Sequence, residues 1–162
     1  MKSRFSQVRT ELLLPDSDFA QRLCQVLGAP SDSVEAVERR ARELLPQHRA
    51  IVWEGDPATF QFTHVSASAE QILGYPAERW LREPGFWTDT IVHPHDKTAA
   101  VTYCALATGK GRDHDFSYRA QTVDGRIVRL HDVVQVIKGP RHVAVRLRGV
   151  MVEMPETEPE TA

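Results

Sequence analysis

The stretch FWTDTIVHPHDKTAA, residues 86–100, brings two histidines and an aspartate, His93, His95 and Asp96, within four positions. Imidazole nitrogens and a carboxylate are donor types for a transition metal, and a single imidazole over an apolar pocket is an axial haem ligand. A structural metal site wants three or four ligands held together, and the sequence nominates no fourth partner for this trio. Pro94 gives a plainer reading. It biases His93 away from helical backbone, and Asp96 then falls near the start of a helix, where the dipole favours a carboxylate. The segment is therefore read as a turn that opens a helix, with no metal site. If the chain holds haem, the ligand is His93 or His95.

Further along, Tyr103, Cys104, His114 and His131 contain the makings of a Cys–His pair. No nucleophile elbow or Gly-rich oxyanion turn accompanies them. Gly109-Lys110-Gly111 lacks the remaining residues of a phosphate-binding loop and reads as a helix-end loop. The expectation is a protein with no catalytic residues and no enzymatic activity.

Composition narrows the class. Of 162 residues, 41% are hydrophobic and 26% charged, a globular profile, and a formal charge of −2 argues against nucleic acid as a partner. The two cysteines, Cys24 and Cys104, stand far apart, which favours free thiols in a reducing compartment. The N-terminal stretch has only the short apolar run Leu12–Leu14, not a signal peptide, and no window approaches a membrane span. A cytoplasmic chain without membrane contact is expected.

The elements that must position these groups fall into three zones: a helical extension over 1–47, a main domain over 48–153 and an acidic, Pro-rich tail or linker over 154–162. In the first zone, Asp16 or Ser17 caps a helix whose apolar face is Phe19, Leu23, Val26 and Leu27, stopped by Gly28 and Pro30. Asp32, three before Glu35, has capping-box spacing for a second helix. On it Val34, Val37, Ala41 and Leu44 recur at intervals of 3, 4 and 3. That stripe either packs on its own domain or forms a short dimer seam.

In the main domain, AIVWEG and TFQFTHVS read as strands joined by a GDPA turn. A short helix follows, capped by Ser66 and ended at Gly74, then a second beginning near Pro76 with Tyr75 as its poor cap, then a longer one from Asp96 to Gly109. Three strands complete the zone, the first two joined at Asp124-Gly125, a two-residue hairpin signal. In the last strand Val143, Val145, Leu147 and Met151 face one way, and Arg146 and Arg148 the other. The fold class expected is α+β: a five-stranded antiparallel sheet with short helices and one longer helix over one face, preceded by two helices.

These pieces, in this order, resemble a PAS domain, most closely the subtype common in bacterial sensor histidine kinases and related signalling proteins. The resemblance rests on Ser66 at a strand end, Leu73-Gly74-Tyr75, Trp87, His93-Pro94-His95-Asp96, Arg119, Asp124-Gly125 and Asp132, and it covers about 105 residues. One departure is Arg129, at a place where the family often has Trp.

The resemblance implies a sensory module that binds a small ligand or a partner protein and relays a conformational signal to an output domain, often as a homodimer, in a two-component or related system. It makes His-Pro-x-Asp structural punctuation. Haem-binding relatives usually carry their histidine in the longer helix, whose interior here, TAAVTYCALA, has none, so haem is not favoured. The Asn-Cys-Arg motif of flavin-binding relatives is missing, so flavin is unlikely. A pocket is expected between the longer helix and the inner sheet face, lined by Trp87, Val101, Ala105, Val128, Leu130, Asp132 and Val134, with Asp132 bonded to backbone or to an arginine such as Arg119. Trp80 is expected to plug the core. A ligand-free dimerisation or interaction domain with a collapsed core is the alternative.

Overall fold

The structure, a computed structural model, describes residues 17–155. Asp16, one of the two expected caps, and the acidic segment beyond Pro155 lie outside the described residues.

Helix α1, Ser17–Leu27, is followed by α2, Val34–Leu44. The cap of α2 is Ser33, whose Oγ accepts the Ala36 N–H at 3.1 Å. Asp32, the expected cap, instead accepts the Ala29 N–H and the Arg40 guanidinium, which also donates to the carbonyls of Val26 and Leu27. Arg40 thus satisfies the open carbonyls at the end of α1 and fixes the two helices against each other.

Five strands follow: β1 Ala50–Gly55, β2 Phe62–Val65, β3 His114–Gln121, β4 Ile127–Lys138 and β5 Ala144–Met154. They form one antiparallel sheet in the order β2-β1-β5-β4-β3, the five-stranded sheet expected. Met154, assigned by sequence to the tail, is the last residue of β5 and pairs with Arg129. The β3–β4 connection is a three-residue loop, Val123-Asp124-Gly125, closed by Thr122 N–H to the Arg126 carbonyl, with Gly125 at φ 88°. That is the bulged three-residue hairpin, in place of the two-residue turn expected.

Between β2 and β3 lie α3 Ser68–Leu73, α4 Ala77–Arg82, a π-helical turn Phe86–Ile91 and α5 Pro94–Gly109. Helix α3 ends as expected at Gly74, φ 93°. Ser66, its expected cap, bonds elsewhere. The Ser66 Oγ accepts the Val52 N–H and bonds the Ser68 hydroxyl, tying the end of β2 to β1. Pro76 caps α4, and the side chain of Tyr75 is buried, its hydroxyl donating to the Gln121 carbonyl at 2.9 Å.

The sheet separates two cores. On the inner face Ile51, Trp53, Leu130, Val134, Leu147 and Met151 meet the short helices and α5. On the outer face Val52, Val150 and Val152 meet Leu23, Val26, Val37 and Ala41 of α1 and α2. Alternation along β1 and β5 therefore buries both faces. Of the two uses open to the Val34, Val37, Ala41 and Leu44 stripe, packing on its own domain is the one seen within the chain: Val37 and Ala41 are buried, with Val34 and Leu44 packed at the margin. Arg148 shares the outer face of β5 with Val150 and Val152. It is 2% exposed, donating to Glu54 at 2.8 Å, while Val145 is exposed.

Candidate functional site

The inner core holds a partly open cavity of about 20 Å³, room for roughly one or two heavy atoms. Its walls are Trp53 and Gly55 from β1, Phe60 from the β1–β2 connection, Phe62 from β2, and Trp87 from the π-helical turn. Cys104 of α5, Phe116 of β3, Asp132 and Val134 of β4, and Leu147 and Met151 of β5 complete them. The π-helical turn begins after Gly85, φ 68°, and is pinned at its far end by a bridge between Val92 and Ala120 of β3. That anchoring sets Trp87 over β3, edge-on to Phe116 and Tyr118. Phe60 is only half-buried and holds φ 61°, an uncommon value for an aromatic residue, packing edge-on against Trp87 at 5.8 Å.

Three of the seven expected pocket residues, Trp87, Asp132 and Val134, line the cavity. Leu130 and Val128 lie on the same face but in the surrounding core, as does Val101, which packs half-buried against it. Ala105 is a correction: it is exposed. Helix α5 buries Ala100, Cys104 and Thr108, a face rotated by one residue from the one expected. Trp80 is fully buried in the core as expected, its Nε1–H donating to the Tyr75 carbonyl.

Asp132 is the one carboxyl side chain on the cavity wall and is 1% exposed. Its Oδ1 accepts Trp53 Nε1–H at 3.0 Å and its Oδ2 accepts the Tyr118 hydroxyl at 2.9 Å. Tyr118 in turn accepts Trp87 Nε1–H at 3.0 Å. Two tryptophans and a tyrosine from three different elements thus converge on one carboxylate. Burial pushes its pKa up to about 7, against the lowering effect of the Tyr118 and Trp53 bonds. The expected partner, Arg119, lies elsewhere. Phe116 is the residue opposite Asp132 across the ladder, and Arg119, three positions on, takes the other parity.

Arg119 instead clamps Asp96. Its Nη2 and Nε donate to the carboxylate at 2.7 and 3.0 Å, and its backbone N–H donates at 2.8 Å. These bonds hold the Asp96 carboxyl below its usual range. The same geometry accounts for the neighbouring histidines. His93 is the cap of α5: its Nδ1 accepts the His95 N–H at 3.0 Å, and its own N–H donates to the Arg119 carbonyl. Neither His93 nor His95 is among the cavity-lining residues. Among the described residues no three His, Cys, Asp or Glu side chains are grouped to hold a metal ion.

The Cys–His pair weighed from sequence does form. His114 Nδ1–H donates to the Arg112 carbonyl, leaving Nε2 to accept the Cys104 S–H at 3.3 Å. Burial pushes the thiol up to about 12 and lowers His114, so the pair stays neutral. His131 is buried on the outer face, bonded to Ser117 Oγ at 2.7 Å and Asp115 at 2.8 Å, a staple between β3 and β4.

Trp53, Phe62, Cys104, Phe116, Leu147 and Met151 line the cavity without having been expected there. Strict alternation in Ile51, Trp53, Gly55 and in Phe116, Tyr118 carries a signal for two of them.

Residues 62–151 match the family described as PAS fold, more than half of the chain. No curated protein matches the chain. Among solved structures it is similar to the N-terminal domain of a diguanylate cyclase with PAS/PAC sensor from Marinobacter aquaeolei, at 30% identity, TM-score 0.59, covering 64% of this chain and 94% of that one. It is also similar in fold to a sensory box histidine kinase/response regulator from Burkholderia thailandensis, at 19% identity, TM-score 0.56, covering 71% and 84%. A LOV protein from Rhodobacter sphaeroides shares the fold at 11% identity, TM-score 0.58, covering 68% and 62%. On the extent of the family match, the chain belongs to the PAS fold family.

Proposed function

We propose that this PAS sensor domain binds a small ligand in the aromatic cavity and relays its occupancy through the sheet to α1 and α2. The observation that carries this reading is the position of β1. Trp53 forms a cavity wall, while its neighbour Val52 sits in the outer core with Leu23 and Val37. A ligand that displaces the Trp53 indole displaces the strand, and the helices packed on its far side respond. The role is sensory rather than catalytic. The chain then works as a homodimer within a cytoplasmic signalling protein of the two-component kind or a relative of it. An output domain receives the signal, as the similarity to domains of a histidine kinase and a diguanylate cyclase supports.

Native mass spectrometry of the purified chain tests the binding. Hydrogen exchange with and without the retained molecule tests the relay. A bound small molecule that alters exchange in α1 and α2 is expected. Binding with unchanged exchange there would sink the relay. The small size of the cavity favours a second reading, a closed-core interaction or dimerisation module, which gains if several expression hosts yield only the bare chain. A haem sensor, the third reading, predicts a Soret band after reconstitution with haemin, lost in His93→Ala or His95→Ala.

A further inference from the structure

The network around Asp132 is balanced for a carboxylate. Trp53 Nε1–H, Tyr118 O–H and Trp87 Nε1–H are three donors. Their acceptors are the two Asp132 oxygens and the Tyr118 oxygen. Both Asp132 oxygens accept in this arrangement, and hydrogen bonds donated to the charged form of a carboxyl favour that form. The hydrogen bonds therefore select the anion.

That anion has no counter-charge. Among the described residues Asp132 makes no ion pair, and the arginine best placed in sequence, Arg119, is committed to Asp96. The titratable groups around it are the Tyr118 phenol of β3, the Cys104 thiol of α5 and, beyond the thiol, the neutral His114. None supplies positive charge. A buried, unpaired carboxylate is costly, and this one stands on the wall of a cavity.

The rest of that wall is aromatic. Trp53, Phe60, Phe62, Trp87 and Phe116 present rings to it. Ring faces attract cations, and a carboxylate with two of its lone pairs used has capacity for another donor. The cavity has room for one or two heavy atoms.

We propose that the cavity takes a small protonated amine, of the ammonium or methylammonium class, that donates an N–H to Asp132 and lies against the surrounding rings. This rests on the reading of the cavity as the ligand site and names its ligand chemistry. Larger alkylammonium ions would enter only with displacement of Phe60, the half-buried wall residue.

The test uses the full chain with methylammonium chloride, with methanol as a neutral probe of similar size, with xenon as an apolar one and with sodium chloride to match ionic strength. Binding is read from the indole N–H resonances of Trp53 and Trp87 and by calorimetry. Methylammonium is expected to shift both indole signals and to bind at least tenfold more tightly than methanol at pH 8. Its affinity should fall at least tenfold at pH 5.5, and near pH 6.5 binding should release a proton, seen as a dependence on buffer ionisation enthalpy. Asp132→Asn, checked for folding by circular dichroism, should lose methylammonium and keep xenon. If that variant does not fold, the pH profile and proton release of the wild type decide alone. Equal binding of methylammonium by wild type and Asp132→Asn, or pH-independent binding, overturns the proposal. Binding of methanol or xenon without methylammonium overturns the ligand class and leaves the cavity reading standing. Binding of no probe overturns both.

Discussion

Trp53 lies directly over Gly149 of the neighbouring strand, so closely that a Cβ on Gly149 would stand 2.5 Å from the indole carbons. The glycine is there for space: it sits in regular strand and its absence of side chain lets the indole lie flat enough to reach Asp132. Gly149→Ala must therefore push the ring away and break its bond to the carboxylate. The expected cost is about 1–3 kcal/mol by denaturant unfolding, with a changed near-ultraviolet dichroism of the native state. Gly109→Ala is the control. Nothing lies within 4 Å of its Cβ, at the end of α5, and it should be neutral or stabilising by roughly a few tenths of a kcal/mol. Equal effects of the two would remove the close-approach argument.

Asp132 makes stability depend on pH in a direction opposite to the usual carboxylate. Its folded pKa, about 7, is raised above the ordinary 3.8, so between these limits the folded state binds more protons than the unfolded one. Its contribution is complete below about pH 4 and is lost as pH rises through about 7, on the order of a few kcal/mol in all. Asp96 acts the other way: its pKa is lowered, chiefly by the Arg119 bonds, so its contribution is present above pH 3.8 and lost as pH falls through its folded pKa. Unfolding of wild type and Asp132→Asn between pH 4.5 and 8 isolates the Asp132 contribution. The stability of wild type relative to the variant should decline across this window. A flat difference would show that Asp132 keeps its ordinary acidity.

Much of this was legible in the sequence. Alternation and turn residues located all five strands, and Gly74 and Gly109 marked helix ends. Other features were not. In α5 the run Ala99-Ala100-Val101-Thr102-Tyr103-Cys104-Ala105 mixes small and amphipathic side chains, so no apolar stripe stands out. Spacing alone favours Val101 with Ala105 as readily as Ala100 with Cys104, the pair that is buried. Burial of Asp132 demands a partner, and Arg119 is the nearest arginine on the neighbouring strand. Strand parity nevertheless puts the two on opposite faces, and indole and phenol donors serve instead. Arg146 and Arg148 share a face by alternation, yet Arg148 is buried and Arg146 exposed, because alternation says which side a residue faces and not what covers it.

The intramolecular use of the α2 stripe changes what its disruption should do. A dimer seam predicts that Val37→Glu with Leu44→Glu halves the solution mass and leaves the fold intact. With Val37 buried against the sheet beside Val52 and Val150, two carboxylates there are expected to detach α1 and α2, at a local cost of about 3 kcal/mol or more. Hydrogen exchange should then show both helices losing protection while β4 and β5, the longest strands of the sheet, retain theirs. Halved mass with α1 and α2 still protected would restore the seam.

The face of α5 that meets the cavity can be read by filling it. Cys104 lines the wall and Ala105 points to solvent, although the two are adjacent. Ala105→Trp should leave stability within about 0.5 kcal/mol and xenon binding unchanged, because an exposed helix position accepts a large side chain without contact with the core. Cys104→Leu places extra methyl groups in the direction of the void and removes the S–H bond to His114. Filling the space offsets the lost bond, so stability should fall by about 1 kcal/mol or less while xenon binding disappears. The 129Xe chemical shift, titrated against protein, reads occupancy directly. Xenon lost in Ala105→Trp and kept in Cys104→Leu would mean that α5 turns its other face to the sheet.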